Sequence, residues 1–140
     1  MNNNGISFGG IGRTAARYAP YVLSILRVVA AMLFLEHGMS RMFGFPSPLP
    51  TPAFLSLYWF AGALELLGGA ILLLGLWTRP VAFILSGEMA FAYFLSRAPR
   101  SFFPILNGGD AAILYCFVFF YIAFAGAGPL SLDALRDTRK

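Results

Sequence analysis

Four apolar runs, at residues 20–42, 53–77, 80–97 and 110–127, take up most of a 140-residue chain, and their length constrains what it can fold into. A helix rises about 1.5 Å per residue, so about 20 mostly apolar residues cross a hydrocarbon core about 30 Å thick. Composition points the same way: 59% of residues are hydrophobic and 11% charged, where a soluble domain carries about 25% charged residues. A soluble fold of this size hides only about 60 to 70% of the surface its unfolded chain exposes, so the excess must face lipid. The expected fold is all-α, an integral membrane four-helix bundle with antiparallel, up-down topology and no separate soluble domain. Residues 1–19 and 128–140 are expected to be tails, and the short third run to stand nearly upright or be sheltered by its neighbours.

The connections set the order of the helices. Residues 45–52 alternate proline with other residues, which favours an extended, stiff strap. Trp77-Thr78-Arg79-Pro80 is short enough to make the second and third helices antiparallel neighbours, with Pro80 starting the third. Residues 98–109 contain Pro99, Pro104 and Asn107-Gly108-Gly109, an apolar loop lying on the membrane surface, and Asn107 or Asp110 is expected to cap the fourth helix. The first run is too long for a signal-peptide core, contains Arg27 and Glu36, and lacks a small-residue cleavage site after it. Arg13, Arg17, Arg79, Arg136, Arg139 and Lys140 fall on one side, against Arg41, Arg97 and Arg100, so both termini are expected in the cytoplasm. Ala82, Ser86 and Ala90, with Gly62, Gly68, Gly69 and Gly75, suit closely packed helices.

Several function classes drop out. The basic residues are scattered, which gives nucleic-acid binding no footprint. Cys116 is the only cysteine, so neither a disulfide nor a CxxC pair forms within the chain. The Gly9-Gly10-Ile11-Gly12 cluster follows no strand and is no nucleotide fingerprint. His37 is the only histidine and lacks clustered partners, so no metal site is expected.

A charge near the bilayer centre costs about 2.5 to 3.5 kcal/mol on insertion scales, yet Arg27, Glu65 and Glu88 lie inside apolar runs. Helical rise puts them about 10, 18 and 12 Å from the same membrane face. Arg27 is therefore expected as the hub of a buried charge network with Glu65 and Glu88, either fixing helix register or leaving one carboxyl to relay protons. A second polar layer is expected nearer the other face, from Glu36, His37 and Arg41 with Arg97, Asn107 and Asp110, ringed by Trp59, Tyr58, Phe102 and Phe103. The candidate ligand-binding residues are His37, Arg41, Trp59, Arg97, Asn107 and Asp110. Their chemistry suits a quinone head group, whose carbonyls need donors and whose ring needs apolar walls. Interfacial anchoring by aromatic and arginine side chains is the competing account of the same residues.

Leu26-Arg27 through Phe34 to His37-Gly38, then Glu65-Leu66-Leu67-Gly68-Gly69, then Leu74-Gly75-Leu76-Trp77-Thr78-Arg79-Pro80, resemble the DoxX family. Gly87-Glu88-Met89-Ala90, Ala92-Tyr93-Phe94, Phe103-Pro104 and Asn107-Gly108-Gly109 extend the resemblance across residues 20–133. It implies four membrane helices and a basic residue shortly after the first helix's histidine, a place Arg41 fills. Relatives in that family include a subunit of a thiosulfate to quinone oxidoreductase and a mycobacterial member of an oxidative-stress complex with superoxide dismutase and a sulfurtransferase. The resemblance implies a redox context in the bacterial cytoplasmic (inner) membrane and names no catalytic residue.

The reading is a membrane subunit of a redox system that binds quinone or a similar lipid-soluble ligand. No flavin, haem or iron–sulfur motif is present, so no intrinsic cofactor is expected and electrons would come through quinone or a partner subunit. The alternative is a non-catalytic accessory or assembly subunit of a larger membrane complex, with the bilayer, other membrane or redox subunits and a second copy as partners. A small transporter is less favoured, because four short helices leave little room for alternating access.

Overall fold

The computed structural model describes residues 8–47 and 51–138. Among these residues all regular structure is helical: α1 (Phe8–Phe43), α2 (Leu57–Leu74), α3 (Thr78–Ala92), α4 (Pro104–Asn107), α5 (Asp110–Ala125) and α6 (Leu132–Asp137). A π-helical turn, Tyr93–Arg97, and a 3₁₀ turn, Ala98–Arg100, continue α3 until Pro99 and the extended Ser101 end it. Three helical stretches, Gly12–Phe43, Leu57–Leu74 and Thr78–Arg100, are long and apolar enough to cross a membrane. The fourth apolar helix, α5, is shorter at 16 residues.

Polarity is inverted relative to a water-soluble protein. The buried residues include Ser24, Arg27, Ser40, Glu65, Thr78, Ser86, Asn107 and Ser131, while Val22, Ile25, Val29, Leu67, Leu74, Phe83 and Phe117 face outward. An apolar exterior of this extent has a natural solvent in lipid. Inside, Ala31 and Phe34 of α1, Leu72 of α2, Leu85 of α3, and Phe119 and Ile122 of α5 form the apolar core. Phe34 meets Phe119 edge to face at 4.9 Å between centroids. Helix α1 packs chiefly on α2, and α3 on α5, with smaller seams between α2 and α3 and between α1 and α5.

Small residues make the seams, as their spacing suggested. Gly38 lies against the backbone of Glu65 and Leu66, Gly69 against Leu35, and Gly68 against the Leu85 side chain, so added Cβ atoms would push the helices apart. Ser86 donates to the Cys116 carbonyl at 2.8 Å, tying α3 to α5. Gly75 has a different task from the close helix packing expected of it: at φ 66° it is the left-handed residue that ends α2. A side chain there would collide with Ser131 and the Arg27 guanidinium.

Arg27 corrects the expected charge network. Its side chain is fully buried, but it meets neither Glu65 nor Glu88. Nε donates to the Ala127 carbonyl at 3.0 Å, Nη1 to the carbonyls of Leu72 and Leu73, and Nη2 to that of Leu130 at 2.6 Å. The last carbonyls of a helix lack intrahelical donors and carry the negative end of its dipole, so the end of α2 can neutralise an arginine without a carboxylate. Glu65 sits two turns back along α2, about 10 Å away, and faces Arg41 instead.

The other connections at this end follow the same logic. Arg79 donates to the Phe124 carbonyl at 2.7 Å, capping α5. Asp133 accepts from the amides of Trp77 at 2.9 Å and Thr78 at 2.8 Å, and so caps α3 from the far end of the chain. Trp77 has a left-handed backbone, φ 44°, that a bulky residue rarely adopts; the bonds from Asp133 help hold it. Residues 128–138 are therefore more than a tail.

Other boundaries shift for identifiable reasons. Helix α1 starts at Phe8 rather than 20 and runs through Pro20, its early turns built from good helix formers such as Ala15, Ala16 and Arg17. Helix α2 starts at Leu57 rather than 53, because Ser56 accepts from the Trp59 amide and sets the N-cap. Ser40 ties the proline-rich connection to α1 by donating to the Ser47 carbonyl. Pro48 and Pro50 of that strap, and Arg139 and Lys140 of the charge count, lie outside the described residues.

Two outcomes are expected. Arg27→Leu removes four hydrogen bonds to buried carbonyls and should lower resistance to unfolding by SDS or heat by about 3 kcal/mol or more, with Arg27→Lys recovering only part, since an ammonium cannot span all four. Hydrogen bonds from the Thr78 and Trp77 amides outweigh burial and hold the Asp133 carboxyl below its ordinary value. A depressed folded-state pKa stabilises fully above the unfolded value of about 3.9 and loses that contribution as pH falls through the folded value. The stability gap between wild type and Asp133→Asn should therefore be constant near neutrality and shrink on acidification below about pH 4.

Candidate functional site

Helices α2 and α3 leave the Trp77 turn in contact, and Gly68 packs tightly against Leu85. One turn beyond it a cavity of about 550 Å³ opens between α1, α2, α3 and α5. Helix α2 contributes Leu57, Tyr58, Phe60, Ala61, Leu64 and Glu65, α3 contributes Ile84, Gly87, Glu88 and Phe91, and the π-helical turn that continues it adds Leu95. Each set follows three- and four-residue steps, which put its members on one helical face. Phe34, His37 and Arg41 of α1 and Tyr115 of α5 complete the walls, while the turns after α3 bring Arg97 and Arg100.

Each charged side chain has a local reason for its place. Arg41 Nε lies 3.2 Å from Glu65 Oε2, an ion pair without hydrogen-bond alignment, and its glutamate is 4% exposed. Gly62 allows this approach: a Cβ there would contact the Arg41 side chain and the Met42 sulfur. Both Glu88 oxygens are buried without a hydrogen-bond partner among the described residues. His37 Nδ1 is 2.8 Å from the Leu33 carbonyl, one turn earlier, which assigns the proton to Nδ1 and leaves Nε2 as an acceptor. Its ring stands edge-on to Tyr115 at 6.2 Å. The cavity thus joins a carboxyl pair, an arginine and an imidazole to aromatic walls.

Residues 22–98, more than half of the chain, match the family model of DoxX. The chain belongs to the DoxX family. It is a membrane protein with several apolar helices, and this segment contains His37, Arg41, Glu65, Glu88 and Arg97 of the cavity. The chain is also similar to a Haemophilus influenzae protein described as uncharacterized, 42% identical over 127 residues, with 84% of this chain and 92% of the relative covered. No solved structure matches it.

In this DoxX protein the structure brings His37, Arg41 and Arg97 into one cavity and leaves three other candidates outside its lining. Trp59 meets Phe54 and Phe60 edge to face at 5.1 and 5.3 Å between centroids. Asn107 is buried in its own loop, where Nδ2 donates to the Ser101 carbonyl and Oδ1 accepts from the Gly109 amide, both within 2.8 Å. It does not cap α5, whose N-cap is Gly109 with no side-chain bond. Asp110, first residue of α5, is exposed. Glu36, Phe102 and Phe103 also face outward, because they occupy the opposite face of α1 or the exposed loop.

The two expected polar layers are one. Glu65 and Glu88 line the same space as His37 and Arg41 once Arg27 is occupied elsewhere. Phe60, Phe91, Arg100 and Tyr115 were not among the candidates. The face shared by residues 84, 88, 91 and 95 was readable as helical spacing around Glu88, but nothing local marked Tyr115, which depends on how α5 docks.

A double-mutant cycle tests the ion pair. Arg41→Gln should destabilise the fold because it leaves Glu65 buried beside no cation, and Glu65→Gln in the same chain should restore part of the loss. A coupling of about 1 kcal/mol or more in detergent unfolding is expected, whereas strictly additive effects would show that the two groups do not interact.

Proposed function

We propose that this DoxX protein is a membrane subunit of a redox system and binds a quinone, or a similar lipid-soluble ligand, in the cavity around Glu88. The proposal includes an antiparallel bundle of four spans in the bacterial inner membrane, both termini in the cytoplasm, with α5 as a short fourth span that thinning of the local bilayer accommodates. The observation that carries the reading is one space holding both hydrogen-bonding groups and aromatic walls. Its volume lies in the range of small-molecule sites, about 300 to 1,000 Å³.

Quinone chemistry fits these groups. A quinone carbonyl accepts hydrogen bonds, and the Arg41 guanidinium and a protonated His37 imidazole donate them. Phe60, Phe91 and Tyr115 offer aromatic walls for the ring. Reduction to the quinol consumes two electrons and two protons. Glu88 and His37 are the titratable groups placed to pass protons, and a partner redox subunit would supply the electrons.

Equilibrium binding of a radiolabelled benzoquinone to the protein in nanodiscs tests the reading. Arg41→Gln and His37→Ala should each weaken binding about tenfold, equivalent to about 1.4 kcal/mol, while Trp59→Phe, outside the cavity, should leave it unchanged. Wild-type protein that takes up no quinone, or variants indistinguishable from it, would refute the assignment.

A further inference from the structure

The cavity has two unlike approaches. Beside the turns after α3 it is bordered by Arg97 and Arg100. Along its length, between α2 and α3, it is bordered by Leu57, Leu64, Ile84, Phe91 and Leu95, all apolar and all substantially exposed on the outer surface of the bundle. These side chains belong at once to the cavity wall and to the lipid-facing exterior, so the space is open sideways. The opening ends where Gly68 meets Leu85. The polar groups stand at its depth, where Glu65 and the Glu88 oxygens are buried.

We infer that the ligand enters from the bilayer between α2 and α3, and that the site selects an amphiphile. Its uncharged, oxygen-bearing head lies against Glu88 and Arg41, and its apolar tail stays in the gap between the two helices. This deepens the quinone reading and rests on it for the identity of the head group, but the tail and the route follow from the gap itself. A compact polar solute would gain nothing from a wall of leucine, isoleucine and phenylalanine. An anionic head would face two carboxyl groups at the deep end, whereas a carbonyl or hydroxyl oxygen can bond to the Arg41 guanidinium or to a carboxyl group without adding charge. A tail lying in the gap also covers apolar surface that the helices leave uncovered.

Gly87 provides a clean test. It lines the cavity, and a Cβ added to it meets nothing within 4 Å. Leucine in its place projects into the passage, and helix propensity favours the change. Ala61→Leu, on the facing wall, is the second plug in case the first variant misfolds.

The experiment measures binding to the full chain in nanodiscs of three probes: a benzoquinone with a long isoprenoid tail, the same head with methyl groups only, and a long-chain fatty alcohol. Free concentrations are corrected for partition into lipid, and thermal melting verifies the fold. The long-tailed quinone should bind at least tenfold more tightly than the tail-less one. Gly87→Leu or Ala61→Leu should remove most of that difference, and Glu88→Gln should weaken both quinones by a similar factor. Equal affinity for the two quinones, unaffected by either plug, overturns lateral entry and leaves the quinone reading standing. Binding of the fatty alcohol that the plugs abolish, with no quinone bound, sustains lateral entry and refutes the quinone reading. A wild-type chain that binds none of the probes overturns both.

Discussion

One guanidinium holds one end of the molecule together. Arg27 reaches from α1 to the final carbonyls of α2 and to carbonyls of the segment joining α5 to α6, so three parts of the chain share one cation. Four of its five donors are used, and the partners are backbone carbonyls at a helix end and in a connecting segment, of which Leu72 also accepts from the Gly75 amide. The Asp133 carboxylate is near enough to attract it electrostatically. Gly75 makes the contact possible by ending α2 without a side chain, so backbone conformation and charge placement are one arrangement.

This way of neutralising Arg27 frees the carboxyl groups for other work. Had Glu65 and Glu88 been consumed by that guanidinium, the polar interior would be a closed clamp. Instead Glu65 is matched by Arg41 from the other end of α1, and Glu88 faces the cavity with no partner among the described residues. Each end of the bundle therefore has a distinct character. The Arg27 end is pinned by arginines and Asp133 on helix termini, whereas beyond the Gly68–Leu85 contact the helices part around charged groups. The π-helical turn that follows α3 belongs to the second region and presents Ser96 and Arg97 to the cavity.

The helical class, the apolar spans and the close seams were legible because they depend on local composition and on spacing along a helix. Glycines 68 and 69 could have few roles in an apolar helix other than admitting a neighbour. The pairing of charges was legible only in kind. That Arg27 must be neutralised follows from its setting, but choosing carboxylates as its partners overlooked the carbonyls at a helix end, which carry no mark in the sequence. The same blindness hid Asp133, whose role as a cap for α3 spans the distance from the last helix back to Trp77.

What the sequence determined by itself was the kind of solvent the chain requires and the segments that meet it, because hydrophobic length and the cost of exposing amide groups to lipid act residue by residue. Tertiary structure decided which charge answers which, and that His37, Arg41, Glu65 and Glu88 border one space while Trp59, Asn107 and Asp110 do not. Those outcomes depend on the rotation and crossing of helices about their axes, set by where a missing Cβ lets two backbones approach. A shift of one residue in that register would present different side chains to the interior while leaving every hydropathy pattern unchanged.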